Sequence, residues 1–474
     1  MTRTHDLGAT RMAAAVRTGE VSPVELTEHY LTRIDRLNEQ VGAYVTVTAE
    51  RALEEARRAE KAVQDATDPA ELPPLHGVPV AVKDLNMVDG VRTTYGTAVY
   101  ADLIGFADDS VVAKLRKAGS VLLGKTAAPE FGLACYTEGD VAPPARTPWD
   151  LTRSAGGSSG GAAAAVASGL APVAQGSDGG GSIRIPSSVC GLFGIKPTRG
   201  RISQGPLLPD LFGLSTNGPI ARTVGDAALL LDVMSGHMPG DLYAAPPVDG
   251  TFASYAERPP GRLRIARNRE PAVPDAVVHP DCVAAYDAAS ELLEELGHEV
   301  VEIPRVFGPD LLDHFLTLWG VMSTFTPIAP ESEPLLQPLT RWLRARGGSA
   351  SATELLRAHS ALQAGLRAAF PVMDEFDAIL HPTLAEPPVP VGYFHDEEPA
   401  ENFERQKRFT PFCAMYNISG QPAVNVPLHW NEAGLPIGVM LAGRLGGEGT
   451  LISLSAQLEA ARPWIDRKPD IWTA

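Results

Sequence analysis

The sequence predicts an α/β fold: one large domain of alternating helices and short apolar strands, with a more helical insertion. Three observations predict it. "DDSVVAKLRKAGSVLLGKT" reads as helix, glycine turn and strand, and "DCVAAYDAASELLEELGHEVVEIP" repeats that rhythm. Near the end, "QPAVNVPLHW" and "LPIGVMLAG" are two apolar strands joined by "NEAG". No internal repeat or low-complexity linker divides the 474 residues.

Taken in order, the chain begins with helices. "SPVELTEHYLTRIDRLN" offers Ser22 as N-cap, Pro23 at the first helical position and Glu25 to complete a capping box. Leu26, Tyr30, Ile34 and Leu37 then recur at helical spacing and mark one buried face. "TAERALEEARRAEKAVQDA" is a second helix with a charged outer face. The pattern changes at "LHGVPVAVKDL", a β-rich run carrying a single cation, Lys83. Further on, "AAAAVASGLA" and "VGDAALLLDVMSG" are apolar helices, "RLRIARN" is a strand, and "GTLISLSAQLEAA" is a closing helix. From about 304 to 405 the chain is more helical and irregular, with a Pro-rich acidic stretch at "HPTLAEPPVPVGYFHDEEPAE".

Composition narrows the function. At 44% hydrophobic and 20% charged, the chain is that of a globular protein with a substantial core. A net charge of −17, spread along the chain, speaks against binding nucleic acid or an anionic membrane, which needs a basic face. The first residues lack the apolar core of a signal peptide, and no apolar run is long enough to span a bilayer. Four cysteines without a C-x-x-C read as reduced thiols, so a cytoplasmic location is expected. No H-E-x-x-H or clustered carboxylates imply a metal, and no cofactor is expected.

Two glycine-walled serines carry the chemistry: "GGSSGG" at 156–161 and "GSDGGGSIR" at 176–184. A flexible linker would be polar, whereas these stretches lie between apolar segments. A phosphate cradle, making the chain a nucleotide-binding module, would need G-x-x-x-x-G-K-[ST] or G-x-G-x-x-G, and neither fits. Residues 156–160 match the nucleophile-elbow pattern G-x-S-x-G, which would call for a histidine such as His381, but that reading leaves the second stretch unexplained. An amide hydrolase needs a nucleophile, donors for the oxyanion and a proton carrier. Successive glycines turn several N–H groups toward one point, so Ser182 is the better nucleophile, with Ser158 as relay. Lys83 qualifies as the base, because burial in an apolar strand disfavours its charged form. The simpler reading of Lys83 is a surface lysine paired with Asp84.

These residues resemble the amidase signature family. The likeness rests on "GVPVAVKD", "TRSAGGSSGGAAAAVASGLAPVAQGSDGGGSIRIPSSVCGLFGIKPTRGR", "GPIARTVGDAALLLDVMSG", "NISGQPAVNVP" and "GLPIGV". It implies a single domain over 1–474 with one large mixed β-sheet covered by helices on both sides. Residues 1–75 would be N-terminal helices, 76–235 the catalytic core, 240–405 a variable substrate-shaping region and 406–474 the returning strands and helix. It also implies a Ser182–Ser158–Lys83 triad, with Ser158 in a cis peptide eased by its small neighbours Gly157, Ser159 and Gly160. The N–H groups of Gly179, Gly180, Gly181 and Ser182 become the oxyanion donors, with Asp178, Arg184 and Ser159 in support. Cys190 also matches a motif position, as a buried inert thiol.

Within the family the likeness is to bacterial hydrolases of cyclic and aryl amides. The expected partner is a small neutral amide or carbamate, with esters as easier substrates, and the expected state is a monomer or homodimer. A subunit supplying ammonia for tRNA transamidation would carry additional segments that are not found. Two positions depart from the family pattern: Met440 stands where glutamine is common and Thr147 where asparagine is common, which touches local packing rather than the triad. The pocket is expected from about 310–345 and the loop around 130–140, where Phe315, Leu318, Trp319 and Met322 share helical spacing; most of these four are expected to pack in the core, and one or two at the entrance would make the pocket apolar.

Overall fold

The run "PVAVK" forms a strand because each of its side chains is apolar or has a partner inside, and all five residues are buried. It is the third element outward from one edge of an 11-stranded mixed sheet. The strands are β1 (Tyr44–Val47), β2 (Pro79–Lys83), β3 (Val121–Thr126), β4 (Val173–Asp178), β5 (Phe193–Lys196), β6 (Thr216–Ala221), β7 (Arg264–Arg267), β8 (Glu299–Glu302), β9 (Ala378–Pro382), β10 (Ala423–Trp430) and β11 (Pro436–Gly443). Their order across the sheet is β1-β3-β2-β4-β6-β5-β10-β11-β9-β7-β8. The computed structural model describes residues 3–395 and 398–474.

Register decides where chemistry can sit. β2 runs parallel to β4, with Ala81 level with Ala174 and Val82 with Gln175. Their carboxyl ends therefore open on the same edge and carry Lys83 and Asp178 to one place. β4 then runs antiparallel to β6, and β10 to both β5 and β11. Open α/β sheets bind ligands outside such carboxyl ends.

Helix Gly160–Ala167, the expected "AAAAVASGLA" element, is buried along its whole length. Its small alanines let it lie close over β4 and β6. Helix Val224–Met234 also packs on β6, and helix Glu448–Ala461 closes the chain as expected. Strands β1, β6 and β9 carry no clean alternation in the sequence and are legible only in the sheet.

Local expectations hold in part. Helix Pro23–Val41 starts at Ser22, whose hydroxyl accepts from Val24 and Glu25 N–H at 3.0 and 3.3 Å. The Glu25 half of the capping box is not formed among the described residues. The Ser22 hydroxyl instead donates to Glu60 of helix Ala49–Asp65, which draws the two helices together. Among the described residues no helix is long and apolar enough to cross a membrane.

Candidate active site

Three segments converge at the carboxyl ends of β2 and β4. Lys83 ends β2, Ser158 lies just before helix Gly160–Ala167, and Ser182 follows β4. Lys83 is fully buried and its Nζ lies 2.8 Å from Ser158 Oγ. The same Nζ lies 3.0 Å from Ser177 Oγ and 3.4 Å from the Ser177 carbonyl. Burial pushes the Lys83 ammonium down to about 7, with the Asp178 charge opposing part of that shift. The surface pairing of Lys83 with Asp84 does not form. Asp84 faces the other way and pairs with Lys125 of β3 at 2.9 Å, both being buried.

The peptide between Gly157 and Ser158 is cis. A side chain on Gly157 would begin 2.6 Å from the Tyr136 backbone, so only glycine lets the two segments approach. Ser159 ties the two serine stretches together. Its N–H donates to the Ser182 carbonyl at 3.2 Å, its hydroxyl donates to the Ser177 carbonyl at 3.1 Å, and it accepts the Ser177 N–H at 3.2 Å.

Asp178 and Arg184 brace the glycine turn between them. Both are fully buried, and Arg184 Nη2 donates to Asp178 Oδ1 at 2.9 Å. Asp178 Oδ1 also accepts the Gly181 N–H at 2.7 Å, and Oδ2 the Ile183 N–H at 3.1 Å. Burial works against the Asp178 charge, but Arg184, Lys196 and Asn417 outweigh it and hold the carboxyl well below the usual carboxylate range. The Gly181 N–H is therefore committed to Asp178. Those of Gly179, Gly180 and Ser182 meet no acceptor among the described residues. Gly181 has φ +130°, a backbone shape that favours glycine.

Several members of this arrangement escaped sequence reasoning. Asn417 Nδ2 reaches the Asp178 carbonyl and Oδ1 at 2.9 Å each, from 239 residues away, and Cys413 supplies a carbonyl to Arg184 at 2.9 Å. Gln175 accepts the Lys83 N–H at 2.9 Å and donates to Asn86 and Asn217. Ser177 was within reach of the sequence, since it lies inside "GSDGGGSIR". Of the two departures, Met440 places its sulfur 3.3 Å from Arg184 Nη1, and Thr147 donates to the Val189 carbonyl at 2.8 Å. Cys190 is buried, and burial pushes its thiol up to about 12.

A cavity of about 70 Å³ opens beside Ser182. Gly180 and Ser182 form its floor, and residues 132–135 one wall. Helix Leu311–Met322 contributes Leu312, Phe315 and Trp319. Of the four residues at helical spacing, Phe315 and Trp319 line the cavity, while Leu318 and Met322 do not. Phe403, Gln406, Lys407 and Thr410 complete the lining, a part of the chain the sequence did not single out. Among the described residues no three His, Cys, Asp or Glu side chains are grouped to hold a metal ion.

Known proteins share this arrangement of chain. Residues 25–452 match the profile of the family described as Amidase. The 6-aminohexanoate-cyclic-dimer hydrolase of Paenarthrobacter ureafaciens is 35% identical, over 98% of this chain and 96% of its own length. The solved structure of a 6-aminohexanoate cyclic dimer hydrolase complexed with substrate superposes with a TM-score of 0.91, at 32% identity and 99% coverage of both chains. That of a bacterial aryl acylamidase from the amidase signature family gives 0.88, at 26% identity, covering 100% of this chain and 99% of its own. With the family profile spanning most of its length, this chain belongs to the amidase signature family and is an amide-hydrolysing enzyme.

Proposed function

We propose that the enzyme is a serine amidohydrolase that works through an acyl-enzyme on Ser182, with Ser158 as proton relay and Lys83 as base. The observation that carries the reading is the 2.8 Å contact between Ser158 Oγ and a lysine whose pKa burial brings down to about 7, so that a large share of it is a neutral amine near neutral pH. A neutral amine has a lone pair to offer, whereas an exposed ammonium has none.

The steps follow from the groups present. Ser158 gives its proton to Lys83 Nζ and takes that of Ser182, whose Oγ bonds to the substrate carbonyl carbon. The carbonyl oxygen becomes an oxyanion facing the N–H groups of Gly179, Gly180 and Ser182, donors fixed before the reaction begins. Collapse of this intermediate breaks the C–N bond, and the departing nitrogen takes the proton back from Lys83 through Ser158. Water then repeats the sequence on the ester, with Lys83 again the base, and releases a carboxylic acid and free Ser182.

The cavity lining is mainly apolar, and its one cation, Lys407, is paired with Glu404 at 2.8 Å, which favours uncharged substrates: aryl, alkyl or cyclic amides, with carbamates and esters open to the same attack at carbonyl carbon. The test uses an activated ester in a stopped-flow burst measurement. Ser182→Ala should lose the burst while keeping its circular dichroism spectrum; a full burst in that variant rejects the assignment.

A further inference from the structure

The segment that faces the relay serine is held in shape from outside the site. A side chain on Gly132 would begin 3.3 Å from Ser158 Oγ, and one on Gly157 would begin 2.6 Å from the Tyr136 backbone. Residues 132–136 therefore lie against the Ser158 hydroxyl at one end and against the residue before it at the other. Gly160 adds a third contact, its N–H donating to Thr137 Oγ1 at 3.2 Å. A left-handed turn brings Gly132 to Ser158: Phe131 has φ +51° and Gly132 φ +71°. A bulky residue keeps that backbone shape only where its surroundings enforce it. Apart from glycines, Phe131 and Tyr95 are the two residues with positive φ among those described. They meet, the Phe131 N–H donating to the Tyr95 carbonyl at 2.8 Å.

Glu130, the residue before the turn, ties it down. Its carboxylate is buried, Oε1 accepting from the Thr97 hydroxyl at 2.6 Å and Oε2 from the Gln337 N–H at 2.9 Å. Thr97 belongs to the segment that carries Tyr95, and Gln337 immediately precedes helix Pro338–Ser349. One carboxylate thus joins both supports of the turn. We propose that Glu130 is a positioning residue for the reaction: by joining Thr97 to Gln337 it holds Phe131 and Gly132 in the turn that sets the place of the Ser158 hydroxyl. This rests on the acyl-enzyme reading above.

The choice of leaving group separates a positioned relay from general packing. An anilide nitrogen leaves with a proton delivered through Ser158, whereas p-nitrophenolate leaves without one. The test compares kcat/KM for p-nitroacetanilide and p-nitrophenyl acetate, which transfer the same acetyl group. Gln337→Pro removes the N–H that Glu130 accepts. Gln337 has φ −62° and Leu336 is extended, a backbone that proline and its predecessor both adopt. Gln337→Ala keeps the N–H and serves as the control. The anilide-to-ester ratio should fall at least about fivefold in Gln337→Pro, within the range that one lost hydrogen bond gives, and by less than that in Gln337→Ala. Loss of stability alone would lower both rates and leave the ratio in place. Should Gln337→Pro fail to fold, Glu130→Gln, which keeps the volume but not both acceptors, is read against the same threshold. A smaller fall in the folded variant, or an equal fall in Gln337→Ala, overturns the proposal. Failure of the acyl-enzyme reading shows elsewhere, as a burst that survives Ser182→Ala.

Discussion

Arg184 holds Asp178 at both carboxylate oxygens, Nε to Oδ2 and Nη2 to Oδ1 at 2.9 Å each, and that carboxylate in turn holds the N–H groups on either side of Ser182. Ser182 therefore sits in the middle of a clamp whose charge is buried. Arg184→Met would leave a buried carboxylate without its cation. Such a loss costs about 3–5 kcal/mol, so the variant should unfold at clearly lower denaturant and lose its acyl-enzyme burst. The clamp should survive mild acid. A carboxyl whose folded pKa is depressed contributes stability above its ordinary range near 4 and loses it only as pH falls below that. Urea unfolding of Arg184→Met at pH 7 checks the first point; a stability equal to wild type would show that the clamp carries nothing.

Lys83 makes the opposite trade. Its pKa falls from the usual lysine range to about 7 on folding, mainly through burial. Between about pH 7 and 10 the unfolded chain binds a proton that the folded one does not, so this group's contribution to stability improves as pH rises through that window. Lys83→Met removes the cost. The variant should melt higher than wild type at pH 6–7, with the gain vanishing above about pH 10, while the burst is lost. In wild type, kcat/KM should fall on the acid side with a limb near pH 7. A Lys83→Met protein less stable than wild type at every pH would contradict a base held uncharged by burial.

Ser177 is the second hydroxyl on the Lys83 amine, at 3.0 Å. It accepts from the Nζ group alongside Ser158 and so favours the protonated form. Ser177→Ala removes one ordinary hydrogen bond, worth about 0.5–1.5 kcal/mol. Activity should drop roughly two- to twelvefold on the same estimate, and the acid limb should move to lower pH. An unshifted limb in a variant of unchanged fold would remove Ser177 from the proton path.

How much of this the sequence disclosed depends on distance along the chain. The serine stretches and Lys83 are legible because glycine density and a lone cation in an apolar run are local signals. The pairing of Lys83 with Asp84 is misleading for a local reason: successive side chains near a strand point to opposite faces, so Asp84 finds Lys125 instead. Asn417 and Cys413 reach the Asp178–Arg184 pair from more than 200 residues away, and no spacing rule reports that. Phe315 and Trp319 share helical spacing with Leu318 and Met322, so sequence marks the group but cannot say which pair faces the cavity. The lining residues Phe403 and Gln406 belong to a largely polar helix that the sequence did not single out.

His381 separates this chemistry from that of a Ser–His–acid hydrolase. It lies in β9, buried, with Nδ1 2.6 Å from the Asn268 carbonyl and Nε2 2.7 Å from the Tyr416 hydroxyl. Both ring nitrogens are thus occupied by structural partners, and burial pushes the imidazole down to about 4. A base must have a free nitrogen facing the nucleophile, and this one does not. His381→Phe should leave the Tyr416 hydroxyl and the Asn268 carbonyl without their partner, at a cost of about 1–3 kcal/mol each in the folded state. Thermal unfolding should move down accordingly, while the variant that still folds keeps its burst amplitude and a rate within a few-fold of wild type. Loss of a general base lowers a rate about a hundred- to ten-thousand-fold. A fall of that size in folded His381→Phe would transfer the base from Lys83 to the histidine.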